Sequence, residues 1–504
     1  MSKKLKIYFT SDTHGYLFPV DYPTGKAAAT GLLGCMGNFT KDGNTLIIDG
    51  GDTLQGSPFA TFVANRNQNP VATIFNQAGY DYITLGNHDF NHGPEYLAQY
   101  LHELDADCIC ANVESDFPVL PYHVHTLENG LCVGLVGIVT DFVNIWEKPE
   151  HLQNISVNDP FAAAAAALEE LKKQGVDLTV CIYHGGFECD LTTEEILTNS
   201  AENIAYRLCK ELDFDLLLTG HQHLAIEGGE FYGTYFVQPA PYASHFLVIS
   251  AEISENGVVF SSFFQKPTTP IIVSREIMEL EEQTQRWLDE PAGSLLKPFD
   301  EGLSYSDKVK MALNGTELTD FFNHVMLEYT GADIACVSLG NVIKPLSESV
   351  SIRDILAAYV FPDTLNILQI TGEILKVALE RVASYLELGE NGEPRISRAF
   401  LMPKVSHYNY DYFAGITFHA DLRKPVGGRI EKIVTTSGRT VLPSDEFKIC
   451  MNQYRAHGGG GFDVYRRGKI LTVGDHEITD LIIKFLKNFS PVKVCRYSAP
   501  VYFY

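Results

Sequence analysis

Basic residues are scarce in this 504-residue sequence. It contains 38 Lys and Arg against 63 Asp and Glu, which gives a formal net charge of -25 at pH 7. A nucleic-acid polymer or an anionic membrane needs a basic surface on its partner, so we expect neither to bind this chain. A small anion remains compatible with this charge if metal ions neutralise it locally.

Long apolar runs are also absent. No stretch approaches the roughly 18 consecutive apolar residues of a membrane span. The N-terminal sequence MSKKLKIYFTSDTHG has too short an apolar run for a secretory signal, and no small-residue cleavage site follows it. On these grounds we expect a cytoplasmic protein.

The ten cysteines lack the spacing of a disulfide framework or a zinc site. Several of them, such as Cys181 and Cys450, lie within apolar runs, which is typical of reduced, buried thiols. Cys108 and Cys110 are separated by one residue, but no second cysteine pair lies near them in sequence. We therefore expect a structural role for that pair.

The length exceeds the size of a single hydrophobic core, so the sequence predicts two domains. In residues 1–267, short β-rich runs alternate with helical stretches, which predicts an α/β layered domain. Residues 268–300 begin within the proline-rich break QKPTTP and contain a polar helical segment, as expected of a linker. Residues 301–504 mix helical and strand patterns and form a predicted second domain.

Five β-rich runs of the first domain end in side chains that bind metals or move protons. Asp12 and His14 occur in SDTHG, Asp52 in IIDGGDT, Asn87 and His88 in GNHD, His184 in CIYHGG, and His221 and His223 in GHQH. Each motif alone is weak, since a histidine at a strand end is often structural. Five such motifs in one domain, each beside a small residue, favour a shared site.

These side chains supply carboxylate, imidazole and amide ligands, which suit two borderline divalent ions such as Mn, Zn, Co or Fe. Asp52 is the carboxylate expected to contact both ions. Two ions roughly 3.5–4 Å apart bind a phosphate, lower the pKa of a bridging water and stabilise an in-line displacement. The sequence therefore predicts phosphoester chemistry in spite of its acidity.

Taken in order, the five motifs resemble the pattern of the calcineurin-like metallophosphoesterases. The resemblance implies a four-layer α/β/β/α catalytic domain. It also implies one metal site formed by Asp12, His14, Asp52 and His223, and a second formed by Asp52, Asn87, His184 and His221. His88 matches the catalytic histidine that stabilises the transition state or protonates the leaving oxygen.

The rest of the chain resembles the mixed α/β C-terminal domain of the 5'-nucleotidase family, many of whose members are exported. Several stretches are most similar to bacterial 2',3'-cyclic-nucleotide 2'-phosphodiesterase/3'-nucleotidases. They are VDYPTG, LQGSPFA, YNYDYFAGITFHADLRKPVGGRI and NQYRAHGGGGF. The resemblance implies a small-molecule nucleotide as substrate.

Two departures separate this sequence from true 5'-nucleotidases. Asn91 stands three residues after His88, where those enzymes usually carry an aspartate that orients the histidine. An asparagine can orient the imidazole by a hydrogen bond, but it does not stabilise the imidazolium as a carboxylate does. The segment CVSLGNVIKPL also lacks the Asn-Gly-Gly-Ile-Arg pattern that holds nucleotide in 5'-nucleotidases.

Two tyrosines of the second domain match positions at which the family stacks a base between aromatic rings. They are Tyr410, with Tyr408 as its nearest competitor, and Tyr454. An isolated tyrosine is more often a packing residue. The glycine run after Tyr454 favours a binding role, because glycine lets backbone approach a planar ligand closely.

The resemblance thus favours a two-metal hydrolase of 2',3'-cyclic nucleotides and 3'-nucleotides. A 5'-nucleotidase or nucleotide-sugar diphosphatase is the alternative enzyme, which Asn91 and the missing Asn-Gly-Gly-Ile-Arg segment disfavour. A non-catalytic nucleotide-binding protein is the third hypothesis. It is disfavoured because loss of function normally removes metal ligands first, and all seven are present.

Overall fold

The computed structural model describes residues 2–198, 200–255, 257–299, 307–361, 363–402, 404–493 and 496–504. The chain divides into two compact units, Met1–Gln285 and Arg286–Tyr504. This division lies inside the predicted linker 268–300. The predicted end of that linker at 300, and the predicted start of the second domain at 301, lie outside the described residues.

Two large sheets form the centre of the first unit. The seven-stranded sheet contains, in spatial order, Gly257–Gln265, Phe246–Ser254, Lys3–Thr10, Thr45–Asp49, Tyr82–Ile83, Asp107–Ile109 and Val119–Leu120. The six-stranded sheet contains Ile226–Phe231, Thr234–Gln238, Leu216–Thr219, Leu178–His184, Cys132–Val139 and Tyr122–Thr126. Two small sheets pair Val20–Asp21 with Lys26–Ala27 and Val113–Glu114 with Ser156–Val157.

The two large sheets share one apolar core. Phe9 and Ile48 from the seven-stranded sheet belong to the same buried cluster as Val133, Leu135 and Leu218 from the six-stranded sheet. Most strands in the middle of each sheet run parallel to one another. Such strands are buried on both faces, which explains their nearly continuous apolar sequence.

Helices cover the outer faces of both sheets. The α-helices within this unit are Leu32–Met36, Pro58–Ala64, Val71–Ala78, Pro94–Glu103, Val143–Trp146, Pro160–Gln174 and Ala205–Glu211, and the 3-10 turns are Asn87–Phe90 and Pro149–Leu152. The helix Arg275–Leu288 begins in this unit and ends in the next. Leu168 and Leu208 pack with the six-stranded sheet. On the other side, the Phe75 ring stacks on Tyr80, whose hydroxyl bonds to Thr10. The predicted α/β/β/α arrangement is confirmed.

The helix Pro160–Gln174 follows its sequence signals at both ends. The Asp159 carboxylate accepts a hydrogen bond from the Ala162 amide, and Gly175 ends the helix with φ of 70°. The N-cap satisfies an amide that has no partner within the helix, and glycine adopts the left-handed conformation without steric cost. The predicted polar helix near the linker is also present, as Arg275–Leu288.

The second unit contains a five-stranded and a three-stranded sheet. In spatial order the strands are Asp411–Ala414, Ile334–Ser338, Glu446–Asn452, Thr364–Thr371 and Lys469–Glu477, and then Ile430–Thr435, Ile416–Asp421 and Val501–Phe503. Two further sheets have two strands each and pair Pro291–Ser294 with Ser349–Ser351 and Leu386–Leu388 with Pro394–Ile396. The α-helices are Lys308–Asn314, Glu317–Thr330, Ile352–Ala358, Gly372–Ala383, Gln453–Ala456 and Ile478–Phe489, and the 3-10 turns are Arg398–Phe400, His407–Asn409 and Asp463–Arg467. This mixture confirms the predicted mixed α/β class.

The cysteines and the helices of these units relate to two expectations from the sequence, reduced buried thiols and the lack of a membrane span. The nine cysteines in the described residues are free thiols, and all but Cys132 are buried, as expected of reduced core residues. Among the described residues, no helix is both long and apolar enough to cross a membrane.

Candidate metal centre

The predicted metal ligands follow the carboxyl ends of five parallel strands. Three of these strands belong to the seven-stranded sheet: Lys3–Thr10, Thr45–Asp49 and Tyr82–Ile83. The other two, Leu178–His184 and Leu216–Thr219, belong to the six-stranded sheet. Because the carboxyl ends of parallel strands meet at one edge of a sheet, ligands that are far apart in sequence come together here.

Five of the seven predicted ligands adopt a left-handed backbone conformation. Their φ angles lie between 50° and 69°, and the residues are Asp12, His14, Asp52, His221 and His223. Such angles are uncommon for residues other than glycine and cost about 1–3 kcal/mol each. The surrounding backbone holds two of them, because the Asp12 amide donates to Gly51 O and the His14 amide donates to Asp52 O. Strain concentrated at one edge indicates a functional site.

Neighbouring glycines allow the strand-end loops to approach one another. A Cβ atom on Gly86 would lie 2.2 Å from Asp52 Oδ1, and one on Gly220 would lie 2.4 Å from Ser11 Oγ. Both distances are below any van der Waals contact. The small residues in GNHD and GHQH are therefore required by the packing of the site itself.

Asp12, His14 and His223 form the first group of candidate ligands, with one ligand atom from each within 4.8 Å of the others. His14 Nε2 lies 2.9 Å from His223 Nε2, and His223 Nε2 lies 3.6 Å from Asp12 Oδ1. The Nδ1 atom of His14 is 2.9 Å from Gln55 O, which can only accept. Nδ1 therefore carries the hydrogen, and the Nε2 lone pair of His14 faces the site.

Asp52, His184 and His221 form the second group under the same distance criterion. His184 Nδ1 donates to Gly50 O at 2.7 Å, and His184 Nε2 lies 3.2 Å from Asp52 Oδ2. The same carboxylate oxygen lies 3.7 Å from His14 Nε2 in the first group. Asp52 therefore lies beside both groups, as the sequence predicts for a shared ligand.

Asn87 joins the second group through its amide oxygen, which lies 2.8 Å from His221 Nδ1. On the other side of the same ring, His221 Nε2 lies 3.0 Å from a Glu202 carboxylate oxygen. Since a carboxylate accepts, Nε2 carries the hydrogen toward Glu202. In the neutral imidazole that a metal ligand requires, the Nδ1 lone pair then points at the Asn87 oxygen. With that neutral ring, two acceptors face each other across 2.8 Å.

The carboxylate and imidazole groups at this edge interact strongly with one another. His184 Nε2 is buried without a hydrogen-bond partner among the described residues, and it faces Asp52. Burial alone would lower the pKa of His184, but the Asp52 carboxylate raises it to about 10. Burial raises the pKa of Asp52, whereas the imidazoles of His184 and His88 outweigh that effect and hold it well below its usual range. Nitrogen and oxygen donors arranged in this way fit divalent cations.

His88 lies next to these groups and is held on two sides. Its backbone amide donates to Asp52 Oδ1 at 2.7 Å, and its Nδ1 lies 2.7 Å from Asn91 Oδ1. The ring centroids of His88 and His14 are 5.3 Å apart. The half-buried His88 ring therefore borders the first ligand group and contacts Asn91, as the sequence predicts.

Glu147 is a contact of this site that the sequence reasoning missed. The Asn91 amide nitrogen donates to Glu147 Oε2, and His151 Nδ1 lies 2.9 Å from Glu147 Oε1. Burial by itself raises the pKa of Glu147, but the hydrogen bond and charge of His151 lower it overall. Because Glu147 follows a short helix far along the chain, no local pattern marks its relation to His88.

Asp89, also missed, organises the backbone around the ligands. Its carboxylate accepts hydrogen bonds from the amides of Gly86, Asp52, Thr53 and Leu54 at 2.8–3.0 Å. These bonds join the GGD and GNHD loops directly. Its position at the end of GNHD was a usable signal, because a buried carboxylate beside a tight turn commonly binds backbone amides.

Tyr410, one of the two tyrosines predicted to stack on a base, is buried in this structure. Its side chain is 2% exposed and belongs to the core of the second unit. The hydroxyl donates to Ala312 O at 2.8 Å, and the ring packs 4.8 Å from Tyr385 and 4.9 Å from Tyr412. The Tyr410 ring thus packs within the core of the second unit.

Tyr454 and Tyr408 are both half-buried. A Cβ on Gly459 would lie 2.5 Å from the Tyr454 ring, so the glycine run lets backbone pack against that ring. The buried Arg455 guanidinium donates to Gly459 O and to Tyr408 O and pairs with Asp411 at 2.9 Å. Arg455 thereby fixes the loop of Tyr408 against the glycine run.

Comparison with known proteins agrees with both units. Residues 5–225 match the family model of the calcineurin-like phosphoesterases, and residues 303–467 match that of the 5'-nucleotidase C-terminal domain. A trifunctional nucleotide phosphoesterase of Bacillus subtilis is 24% identical over 93% of this chain, which spans 36% of that protein. A 2',3'-cyclic-nucleotide 2'-phosphodiesterase/3'-nucleotidase of Haemophilus influenzae is 24% identical over 90% of this chain and 80% of its own length.

A solved structure extends the similarity to the whole chain. It is a Staphylococcus aureus protein provisionally named a 5'-nucleotidase, 29% identical, with a TM-score of 0.91 over 100% of both chains. The match to the calcineurin-like phosphoesterase model covers all seven predicted metal ligands. The chain therefore contains a calcineurin-like phosphoesterase domain and a 5'-nucleotidase C-terminal domain, and these matches indicate a phosphoric ester hydrolase.

Proposed function

We propose that this protein acts as a 2',3'-cyclic-nucleotide 2'-phosphodiesterase and 3'-nucleotidase. The observation that carries the proposal is the pair of ligand groups on either side of Asp52, with His88 bonded to the same carboxylate. The similarity to the Haemophilus influenzae enzyme over 90% of this chain supports the substrate class.

The proposal assigns Asp12, His14 and His223 to one divalent cation and Asn87, His184 and His221 to a second, with Asp52 shared. Two such ions, of Mn, Zn, Co or Fe, would neutralise a phosphate ester and activate water as the nucleophile. In this role the acidic chain needs no basic surface to hold an anionic substrate.

His88 is the proposed general acid. Because Glu147 accepts from the Asn91 amide nitrogen, the Asn91 oxygen faces His88 and accepts from Nδ1–H. Nε2 is then the ring nitrogen that donates a proton to the leaving oxygen. With a 2',3'-cyclic nucleotide, water attack breaks the bond from phosphorus to O2' and leaves a 3'-nucleotide. A second attack breaks the bond to O3' and gives nucleoside and phosphate.

Tyr454 is the proposed contact of the base, and Tyr408 replaces Tyr410 as the second aromatic candidate. Both rings are half-buried, and their loops are joined by Arg455. Stacking is tolerant of base identity, because every base presents a π-face.

A 5'-nucleotidase or UDP-sugar diphosphatase is the second candidate function. It is favoured by the similarity of the whole chain to the Staphylococcus aureus structure. Asn91 and the absence of an Asn-Gly-Gly-Ile-Arg segment argue against it.

A substrate panel with Mn²⁺ decides between the candidates. The substrates are 2',3'-cyclic AMP, 3'-AMP, 5'-AMP and UDP-glucose, with products separated by ion-exchange chromatography. We expect the highest kcat/KM for the first two, with transient 3'-AMP during cyclic AMP hydrolysis. Higher values for 5'-AMP or UDP-glucose would favour the second candidate. An Asp52→Ala preparation purified in parallel controls for contaminating phosphatases.

A further inference from the structure

Glu202 contacts a predicted metal ligand but belongs to none of the strand-end motifs. Its Oε1 atom lies 3.0 Å from His221 Nε2. We propose that Glu202 is a positioning residue that fixes the orientation and tautomer of His221, so that Nδ1 is the atom offered to a cation. The inference rests on the metal roles proposed above, and it is independent of the substrate.

A histidine that ligates a metal must be neutral, and for a neutral ring the hydrogen-bond chemistry leaves one assignment for His221. A neutral imidazole has one N–H and one lone pair, and an ionised carboxylate only accepts. Nε2 therefore carries the hydrogen toward Glu202, and the Nδ1 lone pair points toward Asn87 Oδ1 at 2.8 Å. The two acceptors converge where a cation would satisfy both.

The plane of the same ring is fixed by Trp146. The two rings stack with centroids 5.5 Å apart and planes 14° from parallel. Within that plane, a half-turn of the imidazole would direct a carbon atom toward Asn87 in place of Nδ1. Trp146 accepts either orientation, because stacking does not distinguish ring nitrogen from carbon. Glu202 favours one of them, because only that orientation gives its carboxylate an N–H donor.

The backbone of Glu202 is itself held in place. Its carbonyl oxygen accepts from the Thr140 hydroxyl at 3.0 Å and from the Tyr183 hydroxyl at 3.3 Å, and both donors are buried. Its amide donates to Ser200 Oγ at 3.2 Å. The next residue, Asn203, accepts from the Gly186 amide at 2.8 Å. The carboxylate is thus directed at His221 from an anchored loop.

A carboxylate behind a ligating histidine fixes the tautomer and raises the basicity of the ligand nitrogen. Loss of such a partner typically weakens metal binding about 10- to 100-fold. Only the group of Asp52, Asn87, His184 and His221 includes the histidine that contacts Glu202. We therefore expect an effect on one of the two cations.

The test measures binding of Mn²⁺ to chelator-treated protein by isothermal titration calorimetry. Glu202→Ala is expected to weaken one of two binding events about 10- to 100-fold and to leave the other unchanged. Glu202→Gln should lose less, since an amide oxygen still accepts from Nε2–H. Glu195→Ala is the matched control, because Glu195 is an exposed glutamate of the same loop whose removal should change neither event.

Unchanged affinities in Glu202→Ala would overturn the inference. Equal weakening of both events, together with a lower melting temperature of the metal-free protein, would also overturn it, because that pattern indicates a general structural role. If Glu202→Ala does not fold, Glu202→Gln carries the test, and a loss there as large as that of a ligand substitution would contradict the assignment. If Glu202→Ala loses Mn²⁺ affinity at one site and the wild-type protein prefers 5'-AMP as substrate, the result would support this inference and contradict the proposed function.

Discussion

His88 and Asn91 are joined by a 2.7 Å hydrogen bond between the ring Nδ1 and the amide oxygen. The other end of that amide donates to Glu147, whose second oxygen is bonded to His151 and to the Lys148 amide. The orientation of His88 thus depends on a carboxylate reached through a neutral amide. In the proposed catalysis, Asn91 therefore orients the His88 ring without placing a negative charge of its own beside it.

Substitution of His88 should separate chemistry from metal binding. We expect His88→Ala to keep two bound metal ions and to lose about 10²–10³-fold in kcat, because it removes a transition-state contact and no ligand. Asp52→Ala should instead lose metal, because Asp52 lies beside both ligand groups. Metal content is measured by atomic emission after gel filtration. A metal-free His88→Ala with a fully loaded Asp52→Ala would reverse the two roles.

Asn91→Asp should change the pH dependence of the reaction, but this must be tested in a variant in which Glu147 is also replaced. The new carboxylate would face Glu147, and two like charges in contact are destabilising. The double variant Asn91→Asp with Glu147→Gln restores a donor to the carboxylate at position 91. We expect the alkaline limb of its kcat profile to move upward, because a carboxylate stabilises the imidazolium of residue 88.

Glu147→Gln alone is the matched control for that double variant. Its profile should keep the wild-type alkaline limb, since Asn91 remains neutral. A double variant with the same profile as Glu147→Gln would mean that residue 91 does not influence His88 during catalysis.

Asp49 should make the metal-free protein less stable as pH rises. This carboxylate is fully buried and accepts from Thr10, Thr53 and the Gly51 amide. Burial raises its pKa to about 7, although these hydrogen bonds partly oppose the change. An unfolded aspartate titrates near pH 4, so between about pH 4 and 7 the folded state binds more protons. The free energy of unfolding therefore falls as pH rises through this window.

Asp49→Asn removes this titration while its amide can still bond to Thr10 and accept from Thr53. The difference in melting temperature, variant minus wild type, should be larger at pH 8 than at pH 5. Both proteins are measured after chelation, since cations would add charge nearby. The same difference at the two pH values would show that Asp49 is not the titrating group.

Tyr454 and Tyr410 should respond differently to substitution. Tyr454→Ala should raise KM for 3'-AMP about 5- to 150-fold, the range for loss of one base stack, with a smaller change in kcat. Hydrolysis of bis-p-nitrophenyl phosphate, which lacks a base, should suffer less. Equal losses on both substrates would contradict a stacking role.

Tyr410→Ala is expected to act through stability. Removal of a buried aromatic ring costs about 3–5 kcal/mol, and the substitution also removes the bond to Ala312 O. We expect a lower melting temperature, with KM for 3'-AMP near the wild-type value in the protein that remains folded. A large, selective rise in KM at unchanged melting temperature would restore the predicted stacking role.

The sequence by itself determined the α/β layers and the residue types of the candidate metal centre. Apolar runs that end in Asp, Asn or His mark the carboxyl ends of parallel strands, and the geometry of parallel sheets brings such ends together. Asp12, Asp52 and His184 could therefore be grouped without coordinates. The N-cap and C-terminal glycine of the helix Pro160–Gln174 are likewise local signals that tertiary packing did not alter.

Only the tertiary structure decided which other residues complete the centre. Glu202 and Glu147 reach His221 and Asn91 from loops whose sequence has no periodic or turn signal for that contact, and their roles depend on how loops pack. The same holds for the tyrosines of YNYDYF. Tyr410, between the 3-10 turn His407–Asn409 and the strand Asp411–Ala414, is buried, whereas Tyr408 within the turn is half-buried. Residue type limits what a side chain can do, but burial and neighbours select among those roles.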